Sequence, residues 1–259
     1  MKPTPKIAPK IALVTGGHRR LGAAISARLA ADGWTLAIHG AHAAVPDATL
    51  AAVLVAHATV WHGFVADLSD ATAVEALLPA VAEHFGAPPT LLVNNASRFV
   101  DDVAATTTAA DIAAHYAVNT AAPVALTLAL HRLTKAGTGG AGSVVNILDQ
   151  RIRNPVPDQF SYGLSKGALA AATRLLAVSL APGLRVNAVA PGLTLPTVDY
   201  DAALMDRITA AMPLARLPSP ADIADAVVFL ANAPSVTGQT IFVDGGASLK
   251  SFDRDFVNL

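Results

Sequence analysis

The chain has no cysteine, so neither a disulfide framework nor thiol chemistry is open to it. Charge is scarce as well: Asp, Glu, Lys and Arg make up 14% of 259 residues and leave a formal net charge of −1. That balance supplies no field to draw in a polyanion, and no nucleic-acid partner is expected. No apolar run reaches the ~18 uninterrupted residues of a membrane span. Asp47, Pro123, His131 and Arg174 cut the most apolar stretches, and no membrane partner is expected. Met1 to Lys6 is not followed by an apolar region of signal-peptide length, so residues 1–9 read as a loose leader of a cytoplasmic protein. The eight histidines are scattered, and His39-x-x-His42 lacks a third ligand, so no metal site is expected.

What is plentiful is apolar, at 53% of the chain, with many alanines. A length of 259 residues suits one large α/β domain. Strand signals fall at 10–15, 34–39, 59–65, 90–93, 143–148, 184–190 and 240–243. Between them apolar residues recur at helical spacing, as in Val74, Leu77, Leu78, Val81 and Phe85, or Ile223, Val227 and Leu230. Alternating strands and helices predict a parallel sheet of about seven strands covered on both faces. No repeat and no linker divides residues 1–259; Thr138 to Gly142 is only a glycine-rich loop before a strand.

The first strand runs into Gly16-Gly17-His18-Arg19-Arg20-Leu21-Gly22, and a helix with Ile25 and Leu29 on its core stripe follows, ending near Gly33. Strand, glycine turn and helix together point to a dinucleotide site, because the helix start offers free N–H groups to a pyrophosphate, while the glycines alone also fit a plain turn. Further on, Tyr162 and Lys166 stand four residues apart, which a helix brings side by side. An ammonium beside a phenol lowers a pKa that starts near ~10 and makes Tyr162 a usable proton donor. Asp149 lies thirteen positions upstream of Tyr162. Asp101-Asp102 read as a solvated loop start.

These pieces resemble the short-chain dehydrogenase/reductase family over nearly the whole chain. The resemblance rests on the Thr15–Gly22 turn, Asp67-Leu68, Asn94-Asn95-Ala96, Asn119, Tyr162-x-x-x-Lys166, Arg185 to Gly192, and Val236 to Gly246. It implies a doubly wound Rossmann fold with a nicotinamide dinucleotide across the strand ends. Gly16, His18, Arg19, Arg20, Leu21 and Gly22 would then hold the pyrophosphate side. Asp67, Leu68, Asn95, Ala96, Pro191 and Gly192 would line the rest, and Lys166 would bind the nicotinamide ribose. Asn119 would fix a water in a proton relay. Pairing of helices near 111–133 and 161–180 implies a homotetramer. The cofactor is expected to be NADPH: Ile38 to His42 carries no acid where NAD enzymes place one, and Arg19 suits a phosphate. His42 is a candidate second contact to it.

Departures from the common family pattern bear on the substrate. Asp149 stands where most relatives carry serine, and a carboxylate accepts hydrogen bonds from ring N–H and amino groups while repelling an oxyanion. Arg20 replaces the middle glycine of the turn, and Asn94-Asn95-Ala96-Ser97-Arg98-Phe99 is similar to the Asn-Asn-Ala-Ser-x-Phe of the pteridine reductase subgroup, a pattern the dihydromonapterin reductases share in part. A flat heterocycle stacked on Phe99, with Arg20, Ser97, Asp149 and Tyr162 on its edges, is the implied substrate complex. Taken singly, Phe99 also fits a core aromatic, Arg20 a pyrophosphate contact, and Asp149 a strand-end cap. The expected activity is NADPH-dependent reduction of a C=N bond in a pterin or dihydrofolate-like compound. A carbonyl reductase of the same family is the alternative, and a non-catalytic dinucleotide-binding regulator a third. Residues 193–217, with Pro196, Pro213 and Pro218, are expected to be an irregular substrate loop holding a short helix.

Overall fold

The computed structural model describes residues 10–136, 142–195 and 200–256. The leader over 1–9, most of the 138–142 loop and Pro196 therefore lie outside the described residues. Seven strands form one wholly parallel sheet: β1 Ile11–Val14, β2 Thr35–Gly40, β3 Trp61–Val65, β4 Leu91–Asn94, β5 Gly142–Ile147, β6 Leu184–Pro191 and β7 Thr240–Val243. Their order across the sheet is β3-β2-β1-β4-β5-β6-β7. Each strand agrees with the expected span to within a residue or two.

The period of two along the strands distributes the core. Ala12 and Val14 of β1, Leu91 and Val93 of β4, and Val145 and Ile147 of β5 face one side. There they meet helices α1 (Arg20–Ala31) and α8 (Pro220–Asn232), with Leu50 and Leu54 of α2 (Ala48–Ala56). Leu13, Leu92, Val144 and Val186 face the other side. These meet α3 (Ala71–Phe85), α5 (Ala122–Ala136) and α6 (Phe160–Ser179). The central strands β1, β4, β5 and β6, buried on both faces, read as continuous apolar runs in the sequence. Between α4 (Ala109–Tyr116) and α5 the helix widens into one π-turn over Ala117–Ala121. The apolar stretch Ala109–Thr134 is 44% buried over its most apolar window, packed against the sheet and α6.

The order of the strands reverses between β1 and β4, so a crevice opens at their carboxyl ends, the place where open α/β sheets bind ligands. Asn95 staples it: its Nδ2 donates to the Thr15 carbonyl at 2.9 Å, and its backbone N–H donates to Thr15 Oγ1 at 2.9 Å. The glycine turn is compressed across this staple. A Cβ on Gly22 would lie 1.9 Å from the Gly16 carbonyl oxygen and 2.7 Å from Asn95 Nδ2. Gly22→Ala is accordingly expected to cost roughly 1–3 kcal/mol, as overpacking does, and to weaken dinucleotide binding. Thermal unfolding with and without NADPH measures both; an unchanged melting temperature would contradict the packing described.

Candidate active site

A cleft of about 840 Å³ lies over this crevice. Its walls hold every cofactor and substrate candidate from the sequence except His42 and Asn119. The glycine turn forms one end, Asp67-Leu68 and Asn95 to Ser97 the floor, Pro191-Gly192 the far side, and Phe99, Asp149, Tyr162 and Lys166 the inner end.

Arg20 has φ 53°, a left-handed conformation that glycine adopts freely and arginine does not. Its exposed side chain lies on the cleft wall. Strain on the order of 1–3 kcal/mol at a non-glycine residue points to a use for that side chain. Beneath the turn, buried His39 accepts the Gly16 N–H at Nδ1 (3.1 Å) and donates from Nε2 to the Ala66 carbonyl (2.8 Å). Burial pushes the His39 pKa down, and the neutral ring suits this donor–acceptor pairing. His42, a candidate phosphate contact, is exposed outside the cleft wall, and its charge acts on Asp67. After Gly40 the chain doubles back tightly: a Cβ there would lie 1.8 Å from the Ala43 carbonyl oxygen.

At the inner end, Tyr162 donates its hydroxyl proton to Asp149 Oδ2 at 3.0 Å. Lys166 donates to the Ile147 carbonyl at 2.8 Å, with Nζ 5.6 Å from the centre of the Tyr162 ring. Phe99 packs edge-on to that ring, centroids 4.8 Å apart, and is 51% exposed toward the cleft, not a core aromatic. These distances correct one expectation. The Tyr162 pKa is not lowered: burial and then the Asp149 carboxylate push it well above the usual phenol value, outweighing the Arg151 cation. Tyr162 therefore carries its proton throughout the neutral range. Burial brings Lys166 down to about 8, against the pull of Asp149.

Asn119 sits in the π-turn, fully buried. Its Oδ1 accepts the Arg98 N–H at 2.7 Å and its Nδ2 donates to Ser165 Oγ at 2.9 Å, so it ties the Ser97–Phe99 loop to α6. The same loop is tied a second time, by a residue the sequence reading dismissed. Asp102 is no solvated loop start; its carboxylate accepts the Ser161 N–H at 3.1 Å, capping α6 in place of Gln159, which has φ 54° and no side-chain cap. Burial raises the Asp102 pKa, but the hydrogen bonds from Ser161 and Thr107 outweigh it and the net shift is downward. A cap supplied from fifty-nine residues away leaves no spacing signal in the sequence. Gln150, Arg151, Gln159, Asp255 and Phe256 also line the cleft and were not foreseen. Arg151 meets Asp149 and Asp255 together, at 3.6 and 2.9 Å. Of the 193–217 segment, Leu193 to Leu195 reach the cleft and α7 (Ala202–Ala211) is the short helix between Pro196 and Pro213.

The family model described as Enoyl-(Acyl carrier protein) reductase matches residues 17–248. FolM alternative dihydrofolate reductase 1 from Brucella canis, solved in complex with NADP, has a TM-score of 0.82 at 37% identity, over 93% of this chain and 94% of that one. Pteridine reductase 1 of Leishmania tarentolae is 33% identical across 92% of this chain and 96% of its own. The (3R)-3-hydroxyacyl-CoA dehydrogenase of Mus musculus is likewise 33% identical, across 91% and 95%.

The buried lysine makes stability depend on pH. With a folded value of about 8 against 10.5, the folded chain releases a proton that the unfolded chain still binds between these limits. Stability then rises with pH across that window. Relative to Lys166→Met, the wild type without cofactor is expected to gain on the order of 2 kcal/mol from pH 7 to pH 10. Paired urea titrations measure this, and a flat difference would show that Lys166 is not buried as described.

Proposed function

The chain belongs to the short-chain dehydrogenase/reductase family of oxidoreductases, and we propose that within it the protein is an NADPH-dependent reductase of the C=N bond of a pteridine. The residues present fit the cofactor. The Gly16–Gly22 turn, which leaves no room for a Cβ, brings backbone close to a pyrophosphate, and Arg19 and Arg20 stand exposed beside it without an acid at the end of β2. NADPH, when bound, supplies the hydride. The solved relative of Brucella canis holds NADP, which supports this choice.

The observation that carries the substrate class is the carboxylate of Asp149 on the Tyr162 hydroxyl, 3.0 Å away. A carboxylate there accepts the ring N–H and amino donors of a pterin edge, and it would repel the oxyanion of a ketone reduction. Phe99 offers an exposed ring face for a flat heterocycle at an offset-stacking gain of ~0.5–1.5 kcal/mol. Tyr162, which stays protonated, delivers a proton to the ring nitrogen as carbon is reduced, and Asp149 orients its hydroxyl. Lys166 binds the nicotinamide ribose and recharges the relay, with Asn119 holding its water. Arg20 and Ser97 bind the polar edge and phosphate oxygens. Similarity to pteridine reductase 1 and to FolM supports this reading. Similarity to a 3-hydroxyacyl-CoA dehydrogenase is what favours the second reading, a carbonyl reductase.

NADPH oxidation with dihydrobiopterin, dihydromonapterin and dihydrofolate, beside a ketone panel, decides between them. Turnover of a pterin is expected, with Tyr162→Phe lowering kcat by ~10²–10⁴-fold, the usual range for loss of a general acid. Asp149→Ser is expected to lower pterin turnover in the same direction. Activity on ketones alone, undiminished in Asp149→Ser, establishes the second reading. Loss of neither activity in Tyr162→Phe would leave only a binding role.

The assembly proposed is a cytoplasmic homotetramer. Tyr116 on α4 and Leu164, Leu175 and Val178 on α6 are 49–81% exposed, an apolar surface that a second subunit would cover. Sedimentation should show a tetramer at micromolar concentration, and a stable monomer would reject it.

A further inference from the structure

Three segments far apart in sequence meet at one guanidinium. Arg151 follows the end of β5, its side chain 17% exposed on the cleft wall. Its Nη2 lies 2.9 Å from Asp255 Oδ2, near the C-terminus, and its Nη1 donates to Gln159 Oε1, just before α6. Its Nε lies 3.6 Å from Asp149 Oδ1, and its backbone N–H donates to that same oxygen at 2.8 Å. Asp149 Oδ2 is thereby left to receive the Tyr162 hydroxyl. We infer that Arg151, held by Asp255, is the positioning residue that keeps the Asp149 carboxylate oriented on Tyr162, so that the C-terminal segment completes the active site. The inference rests on the reading of Asp149 and Tyr162 as the proton-delivering pair.

The charges support it. Asp149 and Asp255 have side chains 16% and 2% exposed, and two carboxylates so placed repel each other and the developing charge of any bound anion. Arg151 between them offsets one of these two negative charges. Burial lowers the Arg151 pKa, but the carboxylates of Asp149 and Asp255 outweigh it and the net shift is upward. A buried cation broken from its partners is strongly unfavourable, so the arrangement is held as a unit.

Asp255 does not reach this place by chance of a loose tail. Its backbone N–H donates to Asp158 Oδ2 at 2.7 Å, and Arg254 Nε donates to the same carboxylate at 3.0 Å. Phe256 packs into a cluster with Leu204, Ile208 and Met212, and edge-on to Phe252 at 5.0 Å. The strap is thus anchored to the entrance of α6 on one side and to the helix of the substrate segment on the other.

A double-mutant cycle with the whole protein tests this. Arg151→Met keeps the backbone contact to Asp149 but removes charge and fork; it is expected to lower kcat for the turned-over pterin about 10–100-fold, with KM changed by less than about threefold, since orientation and not binding is lost. Asp255→Asn should act in the same direction by about 3–10-fold, and Arg151→Lys should recover part of the loss while lacking the planar fork. In an Asp149→Asn background, Arg151→Met should add almost nothing, because it acts through Asp149. NADPH fluorescence titration of each variant confirms folding, and the Asp255→Asn and Arg151→Lys arms serve if Arg151→Met does not fold. Losses that multiply in the double mutant, or a rise in KM with unchanged kcat, overturn the inference while leaving the proposed function in place. Pterin turnover that does not depend on Asp149 overturns this inference while leaving pteridine reduction in place; no pterin turnover at all overturns the proposed function, and this inference with it.

Discussion

Tyr162 and Lys166 are buried at the carboxyl end of β5 with the half-buried Asp149 beside them, so bulk water solvates their polar groups poorly. Everything around the site follows from that constraint. Each group must find its compensation inside the protein. Lys166 takes the Ile147 carbonyl and gives up part of its basicity. Asp149 takes the Tyr162 hydroxyl, the residue 151 amide and the Arg151 guanidinium. The result is a proton-holding phenol beside a carboxylate, the arrangement on which the proposed delivery of a proton to nitrogen rests.

The scaffold serves that constraint through ties between distant segments. Asn119 and Asp102 both join the loop carrying Phe99 to the helix carrying Tyr162, one through Ser165 and one through the first N–H groups of α6. Phe99 and Tyr162 are therefore tied into one hydrogen-bonded frame. Asn95 does the same for the glycine turn and the end of β4. Orientation of reacting groups to fractions of an ångström is what such double anchoring provides.

Much of this was legible in the chain. Strands buried on both faces announce themselves as short apolar runs, and the glycine turn, Tyr162-x-x-x-Lys166 and the Asn94 to Phe99 segment are local patterns that keep their spacing whatever the rest does. The structure gathers them in one cleft as the sequence implied. Where the reading failed, the deciding contact was not local. Asp102 looks like a solvated acid because its partner, the start of α6, lies far along the chain. Lysine four residues from tyrosine suggests a depressed phenol pKa, and burial with Asp149 reverses it. His42, whose part in cofactor preference stays a proposal, is exposed within electrostatic reach of Asp67.

By itself, then, the sequence determined the doubly wound parallel sheet, the place of the cleft and the identity of its principal side chains, because hydrophobic period and turn chemistry act over a few residues. Tertiary structure alone decided the charge state of Tyr162, the capping of α6 by Asp102, and the meeting of Arg151 with Asp149 and Asp255. Burial and Coulomb interaction depend on what surrounds a group in space, and those neighbours come from segments as far apart as residues 149 and 255.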